Sequence, residues 1–330
     1  MKHNLTYEKH SLTYELILQA RERIAPYILD TPLLKSLYLS KNDKNVYLKL
    51  ECEQNIKSFK IRGAMNKILT LSNAEKQKGV AVVSSGNHGI AISYCCSLLG
   101  LKPATVVVPS NTPESKIQKI KYYGGNIVML GSCFDEAYAL GIEYIKNNNL
   151  TYIDGWDEDE IVYAGQGTVG LDIMRQNPQI DTILVPIGGG GLATASAVAA
   201  KSINPKVNVI GVCSKSCMAW PDSIKDNVVY HEYESAPSVC EAMIGGIGKL
   251  SFSLKNYLSD CIVVKEEEVK RAMLHAIFNE KIVAEAAGAV PIAAMQNYPE
   301  KIPGKNIALL ISGGNANNDV IKQEILNQRY

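Results

Sequence analysis

Much of what this sequence can do is bounded by what it lacks. Neither charge is in excess: 34 lysines and arginines face 33 aspartates and glutamates, for a net charge of +1. That balance leaves no electrostatic footprint for nucleic acid or an anionic membrane surface, and neither is expected as a partner. No two of the eight cysteines form a CxxC pair, so a zinc ribbon or a dithiol redox motif is not indicated. Met1 to His10 carries charges and no apolar core, so no secretory signal is read there. The cysteines are therefore expected to be reduced packing residues of a cytoplasmic protein. Two uncharged runs, 182–200 and 80–101, resemble membrane spans only in length. The first holds Pro186 and four glycines, the second Ser84-Ser85-Gly86-Asn87-His88-Gly89. Both read as a buried strand, a turn and a helix. There is no repeat period, low-complexity tract or coiled coil.

What is present is a 330-residue chain, 46% hydrophobic and 20% charged. That suits a globular protein of two domains or lobes. Strand-like and helix-like segments alternate. Strands are expected at 46–50, 80–83, 104–108, 127–130, 182–187, 207–212 and 307–311, and helices at 90–99, 113–123 and 134–147. Repeated βα units predict an α/β fold with mostly parallel sheet and helices on both faces. Ligands in such sheets bind at the carboxyl ends of strands.

Three glycine- or serine-rich turns lie at those ends. Gly188-Gly189-Gly190-Gly191-Leu192 follows an apolar strand and precedes an alanine-rich helix. Its N–H groups can converge on an anion, for which phosphate is the natural guest. Gly188, Gly190 and Ala193 also satisfy the dinucleotide pattern G-x-G-x-x-A. That reading needs an acid at the end of the next strand, and Val212 is followed by Cys213, which argues against NAD. No Gly-Lys-Ser/Thr follows, so a P-loop is excluded. Ser84 to Gly89 gathers hydroxyls, an amide and helix-end N–H groups, a set suited to a substrate carboxylate. Ser312-Gly313-Gly314-Asn315 could present a serine to a ring nitrogen. Each turn alone could also be purely structural. The remaining segment, Ser58-Phe59-Lys60-Ile61-Arg62-Gly63-Ala64, sets a lysine among apolar neighbours, where it can lose its proton and form a Schiff base.

Together with Gly165-Gln166-Gly167-Thr168, these segments resemble the fold-type II pyridoxal-phosphate enzymes, in the threonine/serine dehydratase and serine racemase branch. The resemblance spans roughly residues 30 to 320. Gly245-Gly246-Ile247 and Glu285-Ala286-Ala287-Gly288-Ala289 look more like dehydratases. It implies two open twisted parallel-sheet lobes: a large cofactor-binding domain of residues 1–54 and 159–330, and an inserted small domain of residues 55–158 with the carboxylate loop. It also implies that Lys60 holds pyridoxal 5'-phosphate and takes the substrate Cα proton, with Phe59 stacked near the ring. Gly188, Gly189, Gly190, Gly191 and Leu192 would bind the phosphate, Asn87 the 3′-oxygen, and Ser312 the pyridine nitrogen. Ser84, Ser85, Asn87 and His88 would hold the substrate carboxylate, with Ser238 in the substrate loop. The expected reaction is α,β-elimination from L-threonine or L-serine, in a homodimer or homotetramer.

Departures keep alternatives open. Ser85 stands where racemases of this branch carry a second acid/base serine and many dehydratases have alanine. Serine or aspartate racemisation, or dehydration of 3-hydroxyaspartate, is thus a second reading. A non-catalytic ligand-binding protein on this fold is a third, disfavoured by Lys60 and Ser312. Ala242 replaces a usual glycine, and Trp156-Asp157 stands where smaller aromatics are commoner. Cys213 to Ala219 carries no acid, and Cys213 with Cys217 makes too few ligands for a soft metal, so no metal is expected. The short stretch after Ser312 leads to no expected regulatory domain.

Overall fold

The computed structural model describes residues 12–41, 43–155 and 159–327. Met1 to His10 and Trp156-Asp157 lie outside the described residues. Among the described residues ten strands form two sheets: β1 (Leu33–Ser36), β2 (Asn45–Leu50), β3 (Val80–Val83), β4 (Thr105–Val108), β5 (Asn126–Met129), β6 (Thr151–Tyr152), β7 (Thr182–Pro186), β8 (Asn208–Ser214), β9 (Asp260–Val264) and β10 (Asn306–Ile311).

The larger sheet runs β1-β2-β10-β7-β8-β9 and the smaller β5-β4-β3-β6. Every pairing is parallel except β1 with β2, which is antiparallel. Parallel strands are covered by helices on both faces and so become continuous apolar runs. Val80 to Val83 and Ile307 to Ile311 are buried at every position. Each large aliphatic side chain so buried contributes about 1.5–3 kcal/mol.

The sequence pattern found most of the parallel strands within a residue or two. It did not find β1, whose Leu34 is exposed, because a short edge strand needs no hydrophobic alternation. The two-residue β6 is too short to show a pattern, and β9, apolar from Cys261 to Val264, was not picked out although it carries the signal. β8 continues to Ser214, two residues past its expected end, because β9 pairs with it there.

Gly165-Gln166-Gly167-Thr168 lies within the helix Glu160–Gln176, where its glycines let helices touch. A Cβ at Gly165 would sit 2.5 Å from the Arg62 carbonyl oxygen, in the helix Lys60–Thr70. A Cβ at Gly167 would sit 2.9 Å from the Ala195 carbonyl oxygen, in the helix Gly191–Ile203. This close packing joins the elements that carry the lysine and the glycine turn.

Candidate active site

Lys60 is fixed from two sides. Ser58 bridges to Gly313, and the Phe59 N–H donates to the Ser312 carbonyl at 3.0 Å. Lys60 then opens its helix, and its Nζ donates to the Gly155 carbonyl at 2.9 Å. The Phe59 ring lies 5.4 Å from Nζ. Burial of the ammonium lowers the Lys60 pKa to about 8, against the opposing pull of Asp154 and Glu285.

Two residues on, Arg62 is fully buried. Its guanidinium forks onto Glu51 through two 2.8 Å bonds and reaches Asp172 at 2.7 Å and the Thr168 hydroxyl at 2.9 Å. Arg21 donates to the same Asp172 at 2.7 Å. Burial is the largest single influence and would push both carboxyls up, but the Arg62 charge together with the hydrogen bonds and the Lys49 charge outweighs it, and their pKa values are lowered. The network fixes the first turn of the Lys60 helix against the turn Glu51–Glu53 that follows β2 and the helix Glu160–Gln176. No sequence signal marked it, since its members lie up to 151 positions apart, from Arg21 to Asp172.

The helix Asn87–Leu98 begins three residues earlier than the apolar pattern indicated. Ser84, Ser85 and Gly86 therefore form the turn after β3, and Asn87, His88 and Gly89 form the first helical turn. The helix's own bonding begins with the Ile90 N–H to the Gly86 carbonyl at 3.2 Å, which leaves first-turn N–H groups for a ligand. His88 is buried, its ring packed against Gly155, and neither ring nitrogen reaches hydrogen-bond geometry with a described residue. Burial, reinforced by the Lys60 charge, lowers its pKa to about 3, with only the Ile153 backbone opposing. What His88 offers a ligand at this turn is its backbone N–H.

Gly188 to Gly191 follow β7, with Gly190 at φ +97°. That left-handed backbone favours glycine, and a Cβ there would also strike Ser251 and Trp220. The Gly189 carbonyl is tied to the Gly248 N–H at 3.0 Å and the Ser251 hydroxyl at 2.7 Å. Gly191 and Leu192 open the following helix, whose first internal bond is Thr194 N–H to the Gly190 carbonyl at 3.0 Å. β10 pairs directly with β7, so Ser312, itself buried, emerges beside the glycine turn.

A family model described as "Pyridoxal-phosphate dependent enzyme" matches residues 24–313. The chain belongs to this family of pyridoxal-phosphate dependent enzymes. It is 38% identical to the catabolic L-threonine dehydratase TdcB of Staphylococcus aureus strain N315 over 313 residues, 93% of this chain and 90% of that protein. Among solved structures it resembles maize serine racemase, with TM-score 0.87 and 31% identity over 95% of this chain and 97% of that one. It also resembles the processed form of threonine deaminase isoform 2 from Solanum lycopersicum, with TM-score 0.88 and 28% identity over 96% and 93%.

The chemistry of the donor set fits pyridoxal phosphate. Its aldehyde needs an amine that can be neutral near physiological pH, which burial makes of Lys60. Its phosphate needs converging N–H donors, which the glycine turn and helix start present. Beside these stand residues that sequence reasoning left without a role. Glu285, just before the helix Ala286–Asn297, accepts from Asn87 Nδ2 at 2.9 and 3.1 Å. Asn315 Nδ2 donates to Asn87 Oδ1 at 2.6 Å. Both lie in segments whose patterns were noticed, but nothing local ties either to Asn87, which is 198 and 228 positions away.

Ser238 is engaged within its own loop. Its hydroxyl donates to Glu266 at 2.8 Å and accepts from the Cys240 N–H at 3.0 Å. The Ser214 hydroxyl meets the same Glu266 carboxylate. The stretch from Cys213 holds no nearby acid in sequence, but the helix Glu266–His275 after β9 delivers one from 52 positions beyond Ser214. Among the described residues no group of three or more histidine, cysteine or acidic side chains is arranged to hold a metal ion. The same loop continues to Met243, whose Cα would lie 2.9 Å from a Cβ on Gly188, so it packs onto the glycine turn.

Proposed function

We propose that this protein dehydrates and deaminates L-threonine or L-serine, giving 2-oxobutanoate or pyruvate plus ammonia, the water lost in the β-elimination being taken up again when the resulting imine hydrolyses. The observation that carries this reading is Lys60: a buried amine of lowered basicity that opens its helix and donates to the Gly155 carbonyl, beside the His88 ring. The likeness to a threonine dehydratase over nine-tenths of both chains supports it.

Pyridoxal phosphate, when bound, supplies the electron sink that lets the Cα–H bond of the amino acid break. The chain supplies the rest. Lys60 holds the cofactor and, once freed by the substrate amine, takes the proton from Cα. The glycine turn Gly188 to Gly191, with the Leu192 N–H, holds the phosphate. Asn87 would face the 3′-oxygen and Ser312 the ring nitrogen, with Phe59 beside the ring. A neutral serine at that nitrogen, unlike a carboxylate, would not hold a proton there, which would suit expulsion of a β-substituent. Ser84, Ser85 and the Asn87 and His88 N–H groups bind the substrate carboxylate, and the Ser238 loop closes over the side chain. The separation into two sheets, the smaller of them inside residues 55–158, supports the division into two domains. Exposed Leu34, Leu37 and Tyr38 along the β1 edge support a homodimer or homotetramer.

Ser85 favours a second reading, in which it protonates the face opposite Lys60 and serine or aspartate is racemised. A panel of L- and D-serine, L-threonine and 3-hydroxyaspartate, scored for 2-oxo acid and for enantiomer, decides between them. Oxo acid from L-threonine and L-serine without enantiomer supports elimination. Enantiomer without oxo acid overturns it.

A further inference from the structure

Asn87 sits inside a hydrogen-bond chain that crosses between the two sheets. The helix Glu114–Tyr122, which connects β4 to β5, sends Lys119 Nζ to Asn315 Oδ1 at 2.5 Å. Asn315, after β10, returns Nδ2 to Asn87 Oδ1 at 2.6 Å and to the Ile56 carbonyl at 2.9 Å. Asn87 Nδ2 then donates to both Glu285 oxygens.

The two ends of this chain are chemically opposite. An ammonium can only donate, and an ionised carboxylate can only accept. Two amides between such ends have one consistent orientation. Asn315 must turn its oxygen to Lys119, so its NH₂ faces Asn87. Asn87 must then present its oxygen to Asn315 and its NH₂ to Glu285. The second N–H of that NH₂ is the donor left for a ligand.

We propose that Lys119 is a positioning residue which, with Glu285 at the far end, fixes the donor polarity of Asn87 toward the cofactor. The proposal rests on the reading above that Asn87 faces the cofactor's 3′-oxygen. Electrostatics supports the geometry. Burial raises the Glu285 pKa, and the Asn87 hydrogen bond and the Lys119 charge pull it back. A protonated Glu285 could donate as well as accept, and Asn87 would lose its enforced direction. Lys116, one turn earlier on the same helix, pairs with Glu241 of the substrate loop at 2.5 Å. Lys119 therefore works from an element braced across both sheets.

The test uses holoenzyme carrying Lys119→Met, Lys119→Arg, Asn87→Ala or Asn315→Asp, with Lys121→Met as a control exposed on the same helix. The readout is the visible spectrum of the bound cofactor, whose long-wavelength form is favoured by a donor to the 3′-oxygen, alongside kcat and KM. Lys119→Met should lose long-wavelength absorbance to the short-wavelength form. Its kcat should fall about tenfold with little change in KM, the scale of one positioning hydrogen bond. Lys119→Arg should restore the spectrum, and Lys121→Met should leave it unchanged. Asn315→Asp, which sets an acceptor against the Asn87 oxygen, should shift it as Lys119→Met does, so the result does not hang on one variant. A wild-type spectrum in both Lys119→Met and Asn315→Asp, with a shifted one in Asn87→Ala, overturns the proposal alone. An unshifted Asn87→Ala removes the underlying reading of Asn87, and the proposal with it.

Discussion

The lowered basicity of Lys60 makes a quantitative prediction for the cofactor-free protein. An ordinary lysine, with a pKa near 10.5, is neutral in only about 0.03% of molecules at pH 7. With the Lys60 pKa at about 8, that fraction becomes roughly 10%, a gain of about 300-fold in reactive amine. Pyridoxal phosphate mixed with cofactor-free protein should therefore develop visible absorbance at a rate that rises with a midpoint near pH 8. The measurement is a stopped-flow series from about pH 6 to about pH 10.5, spanning both values. The cause is testable within the same series. Glu285 and Asp154 oppose the burial effect, so Glu285→Gln should move the midpoint to lower pH. Stability carries the same signature with a defined sign. Between about pH 8 and pH 10.5 the unfolded chain binds a proton at this site that the folded chain has lost. The contribution of Lys60 to stability must therefore rise with pH across that window, and Lys60→Met should remove the slope. A midpoint near pH 10.5, or an upward shift in Glu285→Gln, would refute the reasoning that burial tunes this amine.

Arg62→Met should cost about 3–5 kcal/mol in denaturant unfolding, because it strands the Glu51 and Asp172 carboxylates in the interior. Glu51→Gln in the same background should recover part of that loss. Gly165→Ala places a methyl group 2.5 Å from the Arg62 carbonyl. A stability loss of about 1–3 kcal/mol, read by thermal melting, is expected from such overpacking. His88, neutral down to about pH 3, should show no imidazole titration by NMR across about pH 5 to 8, where free histidine titrates. Since the unfolded chain takes up that proton first, stability at this site should fall as pH drops below about 6.5, and His88→Leu should flatten the fall.

Much of the fold and the main site segments could be read from the chain because both are local. Buried parallel strands announce themselves as short apolar runs, and Val80 to Val83 and Ile307 to Ile311 were legible for that reason. The Lys60 heptapeptide and the glycine turn were legible because helix starts and left-handed backbone demand particular residues in a row. The first helical turn at Asn87 was not, since its polar residues look like a loop until the helix's own hydrogen bonds are drawn.

Sequence by itself therefore determined the parts of the candidate site: a lysine among apolar neighbours, a glycine turn before a helix, a serine-rich turn after an apolar strand and a serine behind another. Tertiary structure decided how those parts are held. The pairing of β10 with β7 sets Ser312 beside the glycine turn. Arg62 meets Glu51 and Asp172 only in the folded interior, and the chain from Lys119 through Asn315 and Asn87 to Glu285 exists only once the helix after β4 meets the turn after β10. Contacts of that kind leave no periodicity to read. Each partner is an ordinary polar residue in its own segment, and only desolvation and geometry in the folded state give it a role.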